Sequence, residues 1–157
     1  MKHAFNTGFS FGLTSGIITT LGLIVGLHGT TNSNLVIIGG ILTIAIADAF
    51  SDSLGIHICQ ESDNKNTKEV WESTISTFLT KFFFAMTFIV PIFMLDITTA
   101  INVSILWGLL IISAVSFRIA KRKKEAAWKV VGEHLLITLI VIVTTHFVGD
   151  WVAVTFV

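Results

Sequence analysis

The chain of 157 residues balances ten basic against ten acidic side chains, so its formal charge is zero, and 53% of its residues are hydrophobic while 13% are charged. Soluble domains carry about 25% charged residues, and with a mean hydropathy of +0.84 the composition excludes a soluble domain. The single cysteine, Cys59, excludes an intramolecular disulfide and a multi-cysteine zinc site within one chain.

Five apolar runs follow one another, each near the length that crosses a bilayer as a helix. They cover Phe9 to Leu27, Leu35 to Ile58, Phe78 to Leu95, Ile101 to Phe117 and Val130 to Val148. The expected fold is all-α: a single transmembrane domain over 1–157, with five transmembrane helices. The first run is too long and too glycine-rich for a cleavable signal peptide and lacks a small-residue exit. Within it Gly8, Gly12 and Gly16 recur every four residues, and Gly22 and Gly26 form a second pair. Such stripes let helix backbones approach closely in lipid. The second run answers with Ala47, Ser51 and Gly55, and with Ala45, Ala49 and Ser53. Packing of the first helix on the second, or on a copy of itself in a homodimer, is therefore expected.

The second run also holds Asp48 and Asp52, which share a helix face about 6 Å apart along the axis. An ionised carboxylate in mid-span costs roughly 2.5–3.5 kcal/mol on insertion scales, and a pair repels itself. A shared proton, a bound cation or a water-filled cavity would each relieve that cost. All three describe an ion or proton pathway; the plain alternative is a pair that only hydrogen-bonds hydroxyls across the bundle. Running antiparallel, the first helix brings Thr14 and Ser15 level with Asp52, and Thr19 level with Asp48. With Ser51 these make an oxygen-rich set for a divalent cation. His57, Glu61, Glu133 and His134 near the inner boundary are candidates for an inner vestibule, although His57 and His134 read as interfacial residues before ligands.

Between the second and third runs lies "CQESDNKNTKEVWESTIST", a polar connector whose later part can form a surface helix with Trp71 at the lipid interface. Lys81 falls near the start of the third run, placed to snorkel inward. Pro91 sits inside that run and is tolerated where neighbours satisfy the freed carbonyl. The fourth run ends in "RIAKRKKEAAWK". Beside a span this reads as a topology determinant rather than a nucleic-acid site. Trp128 and Trp151 flank the fifth run as interfacial anchors. With the N-terminus inside, segments 1–8, 59–77 and 118–129 hold every Lys and Arg except Lys81. Positive-inside bias thus gives an N-in/C-out chain.

Helices one and two carry a family resemblance. "FGLTSGIITTLGLIVGL" and "IADAFSDSLGIHICQESD" look like the opening and second helices of the vacuolar iron transporter family, whose motifs are DG-[IL]-x-T-T and G-A-[IF]-S-M-x-x-G. Five spans, Pro91 and the closing "FVGDW" are also similar. The resemblance implies a proton-coupled carrier of divalent metal, manganese or iron, working as a homodimer, with no permanently bound cofactor. In the family an Asp of the first helix and a Glu and a Met of the second hold the metal. Here Ser15 stands at the Asp position, Ile44 near the Glu position and Asp52 at the Met position, while Asp48 replaces a small residue. A carboxylate in place of a thioether makes the ligand set harder, which favours manganese over iron. The long acidic metal-gathering insertion of many members does not fit into residues 59–77.

Three functions are thus distinguished: a metal carrier, an intramembrane enzyme, and a non-transporting sensing or assembly protein sharing the fold. An enzyme is not expected: an intramembrane aspartyl protease draws its carboxylates from different helices, typically with a GxGD motif that "VGD" at 148–150 lacks. The expected location is a cell membrane, the prokaryotic cytoplasmic membrane before a vacuole.

Overall fold

The computed structural model describes residues 2–156. Six helices follow in order: α1 (Lys2–Thr30), α2 (Asn34–Ser62), α3 (Thr67–Thr87), α4 (Ile89–Met94), α5 (Ile97–Lys123) and α6 (Ala127–Phe156). No strand occurs among the described residues. α3 and α4 together make one span, giving five helical segments long and apolar enough to cross a membrane. The chain is a multi-pass membrane protein.

Each helix outruns its apolar core. α3 starts at Thr67, so the expected connector over 59–77 shrinks to a short turn, and its "surface helix" is the first part of the third span. The expected tail after Val148 is likewise helical through Phe156. Hydropathy marks the length bathed in hydrocarbon, whereas backbone hydrogen bonding continues until a cap stops it. The stops are specific. α2 ends in a left-handed Asn64 (φ 55°), with Asn64 N–H donating to Glu61 O and Lys65 N–H to Gln60 O. That is the paired closure of a Schellman motif. α5 ends the same way at Lys124 (φ 57°), where Glu125 N–H donates to Ala120 O. Asn66 caps α3 through Glu69 N–H and Asp96 caps α5 through Thr99 N–H. The Thr99 N–H holds the Asp96 carboxyl below its usual value, so this cap stabilises above the ordinary carboxylate range and fades as pH falls through the lowered value.

The break between α3 and α4 has two causes. Pro91 has no N–H to donate to the carbonyl four residues earlier. Phe88 N–H closes on Ala85 O in a tightened last turn.

Packing divides the chain into two compact units, Met1–Thr20 with Ile41–Ile89 and Leu21–Gly40 with Val90–Val157. In the first unit the glycine stripe of α1 meets α3, not α2 as the small-residue pattern suggested. A Cβ on Gly8 would collide with Ser73 O, and one on Gly12 would lie 2.5 Å from Thr77 O. Ser76 Oγ donates to Phe5 O (3.0 Å), and Thr77 Oγ1, whose proton goes to Ser73 O (2.8 Å), lies 3.3 Å from Gly8 O, so hydroxyls of α3 lie against the α1 backbone beside the glycines. The partner stripe on α3 is Ser73, Thr77 and Lys81, again every four residues. On α2, Ala45, Ala49 and Ser53 are buried while Ala47, Ser51 and Gly55 are exposed. In the second unit Gly22 and Gly26 lie against Val141 and Thr145 of α6, α5 packs on α6, and Asn34 Nδ2 donates to Ile92 O (3.1 Å).

Gly12→Ala should therefore cost about 1–3 kcal/mol by overpacking, read as a lower unfolding temperature in detergent. Gly55→Ala, whose Cβ meets nothing within 4 Å, should be neutral or slightly stabilising. Equal effects at the two positions would contradict the α1–α3 contact.

Candidate functional site

The first unit builds a charged cluster from three helices. Asp48 and Asp52 come from adjacent turns of α2, Ser15 from the middle of α1, and Lys81 from α3. Lys81 Nζ stands 2.5 Å from Asp48 Oδ2 and 2.5 Å from Asp52 Oδ2. It also donates to Ser15 Oγ at 2.9 Å, and Ser15 Oγ donates to Asp52 Oδ2 at 2.6 Å.

Lys81 corrects the sequence expectation most sharply. It does not snorkel to the membrane boundary: its side chain is 2% exposed. Once α3 begins at Thr67, Lys81 lies fifteen positions into the helix and its stem runs past Gly16, where a Cβ would lie 3.1 Å from Lys81 Cγ. Burying an unpaired ammonium costs several kcal/mol, and the two carboxylates meet that cost. The ammonium in turn offsets the repulsion between them. A signal was present in the sequence: Ser73, Thr77 and Lys81 repeat the four-residue spacing of the glycine stripe.

The two carboxylates are not equivalent. Asp52 combines the ion pair with a hydroxyl hydrogen bond. Asp48 Oδ2 is held by the charge of Lys81 without a well-directed hydrogen bond. The side chains of Asp48 and Asp52 are 27% and 21% exposed, so the carboxylates are reached from outside the unit while the ammonium is sealed behind them.

The remaining expected ligands distribute differently. Ser15 is in the cluster, level with Asp52 as expected. Thr14 Oγ1 donates to Ser10 O (2.8 Å) and Thr19 Oγ1 to Ser15 O (2.9 Å), leaving each only lone pairs for a cation. Ser51 is exposed on another face of α2. His57 and Glu61 belong to the first unit and Glu133 and His134 to the second. His57 Nε2 lies 3.5 Å from Glu61 Oε1. His134 Nδ1 lies 2.7 Å from Ser116 Oγ, whose proton goes to Ile112 O, so His134 Nδ1–H donates to Ser116. Among the described residues no three His, Cys, Asp or Glu side chains converge as a metal-holding group. Any cation at Asp48 and Asp52 would complete its shell with hydroxyls, carbonyls or water.

No protein-family model, curated protein or solved structure matches the chain.

Removing the ammonium alone strands two carboxylates. Lys81→Met should destabilise by about 3–5 kcal/mol, measured by thermal unfolding in detergent. The triple variant Lys81→Met, Asp48→Asn, Asp52→Asn should recover most of that loss. A triple variant as unstable as the single one would show that Lys81 acts through packing, not charge.

Proposed function

We propose that the protein carries divalent metal cations of the manganese and iron class across a cell membrane in exchange for protons. The observation that carries this reading is the Asp48–Lys81–Asp52 cluster, in which an internal cation occupies the space between two carboxylates of a membrane helix. Ionisable groups at that depth are costly and mark ion pathways. The resemblance of the first two helices to the vacuolar iron transporter family points the same way. So does the N-in/C-out orientation drawn from the basic residues, which opens the cluster's end of α2 toward the cytoplasmic side of, by preference, a prokaryotic plasma membrane.

Charge arithmetic supplies the coupling. With Lys81 protonated and both carboxylates ionised the cluster holds one net negative charge (+1 − 2). A divalent cation between the carboxylates would face the ammonium at close range. In this reading Lys81 gives its proton up to relieve that repulsion, after which metal and carboxylates balance. Metal entry thus expels a proton and metal exit restores it. Lys81 is the proton-carrying group, and Asp48 and Asp52 are the metal ligands, assisted by Ser15. A second copy of the chain over the part-exposed carboxylates would keep them from lipid, which supports a homodimer.

The near-complete burial of Lys81 favours one other reading. A sealed ammonium with three partners also suits a fixed polar clasp in a non-transporting sensing or assembly protein.

Proteoliposomes with a metal-sensitive and a pH-sensitive dye inside separate the two. The carrier should give Mn(II) or Fe(II) uptake with opposite proton movement. That uptake should fall to the background of empty vesicles in the folded Asp48→Asn, Asp52→Asn double variant. Flat traces from folded parent protein would leave the clasp.

A further inference from the structure

Apart from the Asp48–Lys81–Asp52 cluster, the first unit carries a second feature. At the α2–α3 turn a cavity of about 340 Å³ is lined by His57, Glu61, Asn64, Lys65 and Trp71. An apolar groove of about 680 Å³ runs from it between α2 and α3, along Ala47, Phe50, Leu54, Ile75 and Leu79. His57 and Trp71 line both. We propose that this pair of spaces binds one membrane phospholipid with a phosphoethanolamine headgroup, its acyl chain in the groove.

Three observations support a lipid. From His57 to Ala47 is ten residues of helix, about 15 Å, half the roughly 30 Å hydrocarbon thickness and so the depth of one leaflet. The groove walls are exposed and apolar: Phe50 is 61% exposed and Leu54 59%. Trp71, where groove and cavity join, is of the type enriched at the membrane–water interface.

The headgroup follows from the polar groups. The Schellman closure at Asn64 turns the chain so that Lys65 and Glu61 line the same cavity. An ammonium and a carboxylate in one cavity complement a zwitterion. Thr74 Oγ1 spends its proton on Val70 O (2.7 Å) and lies 3.0 Å from His57 Nδ1, so Nδ1–H is the donor. Nε2 lies 3.5 Å from Glu61 Oε1. The Glu61 carboxylate, which only accepts, suits the N–H groups of a primary ammonium. A quaternary choline offers it none. Lys65 then meets the phosphate.

The inference rests on the chain's membrane placement, not on transport. To test it, the whole protein is delipidated in detergent and offered equal amounts of phosphatidylethanolamine, phosphatidylcholine and phosphatidylglycerol, and retained lipid is counted by native mass spectrometry. One phosphatidylethanolamine per chain should be kept in preference to the other two. Glu61→Gln and Lys65→Gln, each checked for helicity, should weaken retention about tenfold, as expected for loss of a charged hydrogen bond. Ser51→Phe, which fills the groove from the exposed face of α2, should abolish retention. Equal retention of all three lipids, or preference for the glycerol headgroup, would overturn the proposal. So would a Ser51→Phe variant that turns a dimer into a monomer with its lipid count unchanged, which would give the groove to a second copy of the chain.

Discussion

A lysine ammonium buried in an apolar span needs opposite charge within a few ångströms, and that requirement organises the first unit. Lys81 reaches Asp48 and Asp52 only if α3 lies close to α1 and passes the carboxylate face of α2. The glycines at 8, 12 and 16 provide the close approach, and Ser76 and Thr77 set their hydroxyls against Phe5 O and Gly8 O of α1. Replacing any of these small residues by a large one would lift Lys81 away from its partners. The stripe and the charge cluster are therefore one construction.

The same construction limits what the cluster can do. An ammonium at 2.5 Å from each of two carboxylates is a resident cation, and an entering one must replace its charge. The cluster's asymmetry suits replacement from one side. Asp52 is anchored by Ser15, while Asp48, the more exposed carboxylate, is held by charge alone. In the proposed exchange a cation would meet Asp48 first with the least hydrogen bonding to undo, and Asp52 would then close the coordination.

Much of the architecture was legible in the sequence because hydrocarbon imposes a simple rule on composition and length. Five spans, the shared face of Asp48 and Asp52 and the level match of Ser15 with Asp52 all follow from apolar runs and helical rise. The partner of the carboxylates did not. Lys81 lies near the edge of its apolar run, and hydropathy alone put it at the boundary. The polar sequence Ser73, Thr74, Ser76, Thr77 looked like a connector, yet its hydroxyls hydrogen-bond backbone carbonyls within the helix or on α1, which lets the helix start at Thr67. Choice of packing partner was equally hidden, because α2 and α3 both carry four-residue spacings and only contact geometry separates them.

The central claim is that Lys81 holds the place of a cation and gives up its proton when metal arrives. Proton release during Mn(II) titration of the purified protein, in weakly buffered solution with a pH dye, measures this directly. The account predicts about one proton released per Mn(II) bound by the parent, and none from Lys81→Met with either carboxylate retained. Mn(II) binding with no proton release from the parent, or the same release from the lysine variant, would contradict it.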